Sequence, residues 1–160
     1  GPMVHGAIKQ FIEEVEWKGT DYLVIDLPPG TGDAQLSLVQ TVPLSGGVIV
    51  TTPQDVALID VRRGVQMFRK LNVPVLGVVE NMSYLICPHC SGEVDIFSRG
   101  GGKRMAEKFN VPFLGEVLID PEIRKGGDEG FPIVLSNPES PAAKAFMEVA
   151  EKVLKTIEST

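Results

Sequence analysis

Four short apolar runs punctuate the chain: YLVID (Tyr22–Asp26), GVIVT (Gly47–Thr51), VLGVVE (Val75–Glu80) and FLGEVL (Phe113–Leu118). Each is rich in Val, Ile or Leu and alternates little, the pattern of parallel strands covered on both faces. Between them, apolar residues recur at helical spacing. Val4, Ile8, Phe11, Ile12 and Val15 share one face. Leu58, Val61, Val65 and Phe68 share another, with Asp55 as the expected N-cap after Pro53. Gly101–Phe109 and Ala142–Ile157 also read as helices. Strand alternating with helix predicts an α/β fold, a doubly wound and mainly parallel sheet joined by right-handed crossovers. No repeat, low-complexity tract or linker divides residues 1–160, so a single domain is expected.

In such a sheet the ligand lies beyond the carboxyl ends of the strands. Those ends read Asp26-Leu-Pro-Pro-Gly30, Thr51-Thr-Pro-Gln-Asp55, Glu80-Asn-Met82 and Leu118-Ile-Asp-Pro121. Polar residues and prolines gather at one rim. Asp26 closes a buried run, where a carboxylate is costly unless donors or a cation compensate it. A helix N-terminus would do so, and so would Mg²⁺ carrying a nucleotide phosphate, as at a Walker B aspartate. Gly30, after two prolines, would let the backbone approach a γ-phosphate. Asn81 offers an amide donor and acceptor to a base edge, or bonds its own turn. Asp33 reads as a helix cap. Asp120 before Pro121 also has the form of a helix cap with Pro at the first helical position. Arg62 and Arg63 read as a solvated face, and His5 as a surface residue. Met82 and Tyr84 are expected to pack beneath the loop that follows.

Composition narrows the field. The net charge of −6 argues against a nucleic-acid partner, which wants a basic face. No run approaches the ~20 apolar residues of a membrane helix, and GPMVHGAIKQ lacks the layout of a signal peptide. The two cysteines, Cys87 and Cys90, lie in one C-P-H-C step within a loop near residues 84–97. So short a loop gains little from a structural disulfide, so a reducing, cytoplasmic setting is expected. There the pair has four readings: a redox dithiol, half of a zinc site, two free thiols, or half of a 4Fe–4S site. Zinc and the 4Fe–4S cluster each want four ligands, which two chains could supply.

DYLVIDLPPGTGD, QLSLVQTVPLSGGVIVTTPQDVALIDVRRGVQMF, ENMSYLICPHCSGEVDIF and FLGEVLIDPEIRKGGDEGFPIV together resemble the Mrp/ApbC family of ATP-binding iron–sulfur carriers. That family sits in the deviant-Walker-A branch of P-loop NTPases with MinD, ParA and the nitrogenase iron protein. The resemblance covers nearly the whole chain. It implies that Cys87 and Cys90 bridge a 4Fe–4S cluster in a homodimer that delivers it to iron–sulfur apoproteins. It further implies Mg²⁺ at Asp26, a γ-phosphate sensor at Gly30, adenine at Asn81, and a base-side segment at Asp120 and Pro121. One part of the family pattern is missing. No G-x-x-x-x-G-K followed by Ser or Thr occurs. Arg99-Gly-Gly-Gly-Lys103 is only a lookalike, read as a flexible helix start. The chain therefore matches the C-terminal part of the family domain, truncated at the N-terminus, and ATP hydrolysis by these residues is not expected. The alternative is a MinD/ParA-type positioning or partner-binding ATPase fragment with a zinc or redox loop, which the C-x-x-C pair argues against. Apolar Val24 and Ile25, left on an open edge, would favour self-association.

Overall fold

Val75–Glu80 is the strand around which the described chain is organised, because both of its faces are dry. A computed structural model describes residues 2–27, 36, 38, 39 and 41–159. In chain order its elements are α1 (Pro2–Glu13), β1 (Gly47–Thr51), α2 (Asp55–Lys70), β2 (Val75–Glu80), β3 (Leu85–Ile86), β4 (Glu93–Val94), α3 (Gly101–Phe109), β5 (Phe113–Glu116), α4 (Pro121–Glu129), α5 (Ile133–Ser136) and α6 (Pro141–Glu158). The main sheet runs β1-β2-β5 with both pairings parallel. β3 and β4 form a separate antiparallel hairpin.

Side chains alternate across β2, and helices cover each side. Val78 joins Ile49, Leu58, Val61, Val65, Phe68, Val73 and Ala106 in one cluster, beneath α2 and α3. Val79 joins Leu114 and Val117 in another, against Val149 and Val153 of α6. The sheet is thus doubly wound, as the unbroken apolar runs imply. Each fully buried Val or Leu contributes roughly 1.5–3 kcal/mol. Close approach of α2 to β1 depends on Gly47, where a Cβ would lie 2.4 Å from the Phe68 ring.

β1 and β2 match the expected strands residue for residue. β5 ends at Glu116, two residues early: the Val117 N–H still donates to the Glu80 carbonyl of β2 (2.8 Å), but its carbonyl accepts from Ser83 N–H, beyond the end of β2 (3.0 Å). The α2 cap differs too. Gln54 takes the N-cap position, and Asp55 sits in the first turn, where its charge still suits the helix N-terminus.

The expected strand Tyr22–Asp26 is not a strand. The segment has no ladder partner, and Val24 is 91% exposed. A strand needs a neighbour's N–H and C=O groups and a covering layer. Among the described residues β1 pairs only with β2, and residues 22–27 do not join it. β1 consequently buries Gly47, Ile49 and Thr51 but leaves Val48 and Val50 open. α1 forms as the spacing predicts, yet Phe11 of its apolar stripe is exposed; its carbonyl accepts from the Trp17 indole N–H.

Candidate functional site

The end of β2 carries a carboxylate that sequence reasoning passed over. Glu80 is fully buried. Its Oε1 accepts from the Ser83 hydroxyl (2.6 Å) and from Gly100 N–H (2.8 Å), and its Oε2 accepts from Gly102 N–H (2.5 Å). The triple glycine at the start of α3 is therefore an anion cradle filled from within, with free backbone N–H groups and the helix dipole facing a carboxylate. The glycines are required. Gly100 has φ +92°, a Cβ at Gly101 would lie 2.6 Å from the Pro53 carbonyl, and one at Gly102 would press on Glu80 and Thr51. The expected flexible helix start is instead tightly fixed.

Beyond Glu80 the chain turns outward. Asn81 Oδ1 accepts from Met82 N–H, closing a turn in which Met82 adopts φ +55°. Ser83 N–H donates to the Val117 carbonyl and Ile119 N–H to that of Tyr84 (2.7 Å), so the outgoing chain is stitched to the residues after β5. Tyr84 is partly buried as expected, while Met82 is 46% exposed and does not pack beneath the loop.

The hairpin β3–β4 then presents the cysteines. Cys87 N–H donates to the Gly92 carbonyl and Ser91 N–H to that of Cys87, both at 2.9 Å, and Ser91 adopts φ +57°. This tight knuckle turns two amides toward a thiol. The backbone N–H groups of His89 and then Cys90, with the Cys90 thiol, hold the Cys87 thiol below its ordinary range. Hydrogen bonds to the charged form favour the thiolate, which is the nucleophile and the metal-binding species. Neither cysteine is in a disulfide, and Cys90 is exposed. Among the described residues no group of three or more His, Cys, Asp or Glu converges on one point. His89 is exposed.

Arg99 holds the hairpin's far side. Its Nη1 donates to Glu93 of β4 (2.6 Å), its Nε and Nη2 to Glu116 of β5 (2.7 and 2.6 Å), and its guanidinium lies 3.9 Å from the Tyr84 ring centroid. Glu116 first, and Glu93 after it, stabilise the charged guanidinium against partial burial.

The other expected site residues are dispersed. Asp26 is exposed and follows no strand. Gly30 and Asp33 lie outside the described residues. Asp120 caps α4, accepting from Glu122 N–H (2.9 Å), with Pro121 at the first helical position. Asn81 and Asp120 each spend one side-chain oxygen on a turn or cap. Arg62 and Arg63 are solvated, Arg63 pairing with Asp60. Among the described residues, the N–H cradle at the start of α3 is already occupied by Glu80.

A family model described as ParA, the NUBPL iron-transfer P-loop NTPase, matches residues 1–154. An iron–sulfur cluster carrier protein of Deinococcus radiodurans is 57% identical over 150 residues, covering 94% of this chain and 42% of the relative. One from Pyrococcus horikoshii is 52% identical over 157 residues, covering 98% and 53%. Among solved structures, a nucleotide-binding protein from Archaeoglobus fulgidus in complex with ADP superposes with a TM-score of 0.76. It is 37% identical, and the match covers 90% of this chain and 58% of that one. The chain spans about half the length of the curated relatives it matches.

Proposed function

The chain belongs to the ParA family of P-loop NTPases, NUBPL iron-transfer type, and on that premise we propose that it is the cluster-holding part of an iron–sulfur carrier. The observation that carries this reading is the Cys87–Cys90 knuckle, an exposed hairpin tip whose amides favour a thiolate. A 4Fe–4S cluster takes four thiolates. Two per chain then mean a cluster bridged across a symmetric homodimer. The cluster is cargo, passed on to an iron–sulfur apoprotein, and an exposed tip suits hand-over by thiolate exchange. Zinc in place of the cluster would use the same four thiolates. The relatives' names support the carrier role.

In this reading a nucleotide base would be met by the free amide donors of Asn81 and by Asp120 beside Pro121. Asp26 is the residue for Mg²⁺, and Gly30 for the γ-phosphate. Bound Mg–ATP would supply phosphoryl chemistry, but no G-x-x-x-x-G-K followed by Ser or Thr occurs in the 160 residues. Turnover is expected at background level; turnover that disappears on Asp26→Ala would overturn that part.

The experiment is anaerobic reconstitution with ferrous iron and sulfide, followed by iron, sulfide, zinc and solution-mass measurements. Brown protein with about four irons per dimer is expected. Cys87→Ser and Cys90→Ser should each lose the colour and the iron-dependent dimer. A monomer retaining four irons would sink the bridged arrangement, and stoichiometric zinc without iron would replace the cluster.

A further inference from the structure

The geometry points to Arg99 as a positioning residue for the cysteine pair, bracing the outer strand of the hairpin against the main sheet. This deepens the carrier reading and rests on it for the identity of the cargo. The two strands of the hairpin are held differently. The inner one is stitched to residues 117–119 by backbone bonds, with Leu85 bridging Ile119. The outer one, Glu93–Val94, is exposed and pairs only with β3 among the described residues. Cys90, Ser91 and Gly92 lead directly into it.

Arg99 supplies the second hold. One arm reaches Glu93 on the hairpin, and the fork reaches Glu116 on β5. The plane of the guanidinium covers Tyr84, at the hairpin's root. Nε and Nη2 converge on one Glu116 oxygen while Nη1 reaches Glu93, so the planar guanidinium spans both carboxylates at once, which the single ammonium of a lysine could not reproduce. The brace is itself anchored. Gly100, the next residue, donates to buried Glu80, as does Gly102. The Arg99 backbone is thus tied to β2, so sheet, helix start and hairpin form one rigid frame. A frame that holds the thiolates in place before loading reduces the ordering cost of gripping a metal centre and slows its release.

The test uses the 160-residue protein with Arg99→Ala, Arg99→Lys, Glu93→Gln and the double variant Arg99→Ala/Glu93→Gln. In metal-free protein, the Cys87 and Ser91 amides report knuckle opening through hydrogen exchange. Their exchange should be about two- to fivefold faster in Glu93→Gln and at least as fast in Arg99→Ala, the range for a partly exposed ion pair. Val78 and Val79 amides should be unchanged in Glu93→Gln. The double variant should match Arg99→Ala alone, and Arg99→Lys should lie between wild type and Arg99→Ala. Loss of structure in Arg99→Ala would leave Glu93→Gln, which keeps the Glu116 arm, to decide. Wild-type exchange in Glu93→Gln, or additive effects, would overturn the brace. After reconstitution, iron release to a chelator should accelerate in the same order, and equal release rates would overturn its role in holding cargo. Failure of every protein, wild type included, to take up iron would defeat the carrier reading, while the exchange data still decide the brace.

Discussion

Two carboxylates end apolar runs in this chain, Asp26 and Glu80, and only one meets the fate that physics assigns to such a group. Asp26, expected to close a dry strand and so to need donors, is exposed. Glu80 is the one that is buried and met by a hydroxyl and two amides. The distinguishing signal was present: Val75–Glu80 has no polar break, and a triple glycine lies downstream. What could not be read was which helix start would arrive there, since about 20 residues of hairpin intervene. The cysteine pair was legible from spacing alone, but the asymmetry between its thiols was not. The amides that favour the Cys87 thiolate depend on the turn geometry of His89 and Cys90. Alkylation of Cys87 by iodoacetamide, followed by peptide mass, should therefore reach half its maximal rate at a lower pH than for an ordinary cysteine thiol. The sign for stability follows: a thiol depressed by folding contributes fully above its unfolded pKa, and that contribution fades as pH falls through the folded value. A Cys87 profile like that of a free thiol would contradict the knuckle geometry.

Helices and strands were readable wherever their own pattern sufficed. α2, α3, β1 and β2 lie where apolar spacing puts them, because each buries a face formed by local sequence. The hairpin β3–β4 was not foreseen as strands, since two residues a side carry no period. α3 shows how packing overrides propensity. Two glycines inside a helix cost roughly 1 kcal/mol each relative to alanine, yet here a side chain does not fit. Gly101→Ala would place a Cβ 2.6 Å from the Pro53 carbonyl and 2.9 Å from Leu58 Cδ1. The expected loss is about 1–3 kcal/mol. Gly127→Ala, inside α4 with nothing within 4 Å of the added Cβ, should instead add about 0.5–1 kcal/mol. Urea midpoints of the two variants check both signs, and a stabilised Gly101→Ala would show that α3 stands off from α2.

At the scale of the molecule, the described sheet is covered unevenly. β2 is dry on both faces, whereas Val48 and Val50 of β1, and Tyr22, Leu23 and Val24, are exposed. A strand edge with apolar neighbours and no lysine or proline within it is a template for pairing. The metal-free protein should therefore associate as concentration rises in sedimentation velocity. Val50→Lys, on a side chain already 63% exposed, should shift it toward monomer. A sharp monomer at every concentration would refute this. Sequence alone determined the parallel, doubly wound core and the paired thiols, because each follows from periodicity or spacing within one short segment. Only the tertiary structure decided that Tyr22–Asp26 lacks a ladder, that Glu80 fills the glycine cradle, and that Arg99 ties Glu93, Glu116 and Tyr84 together. Those outcomes join residues far apart in the chain, and such joins depend on which surfaces meet once the sheet has formed.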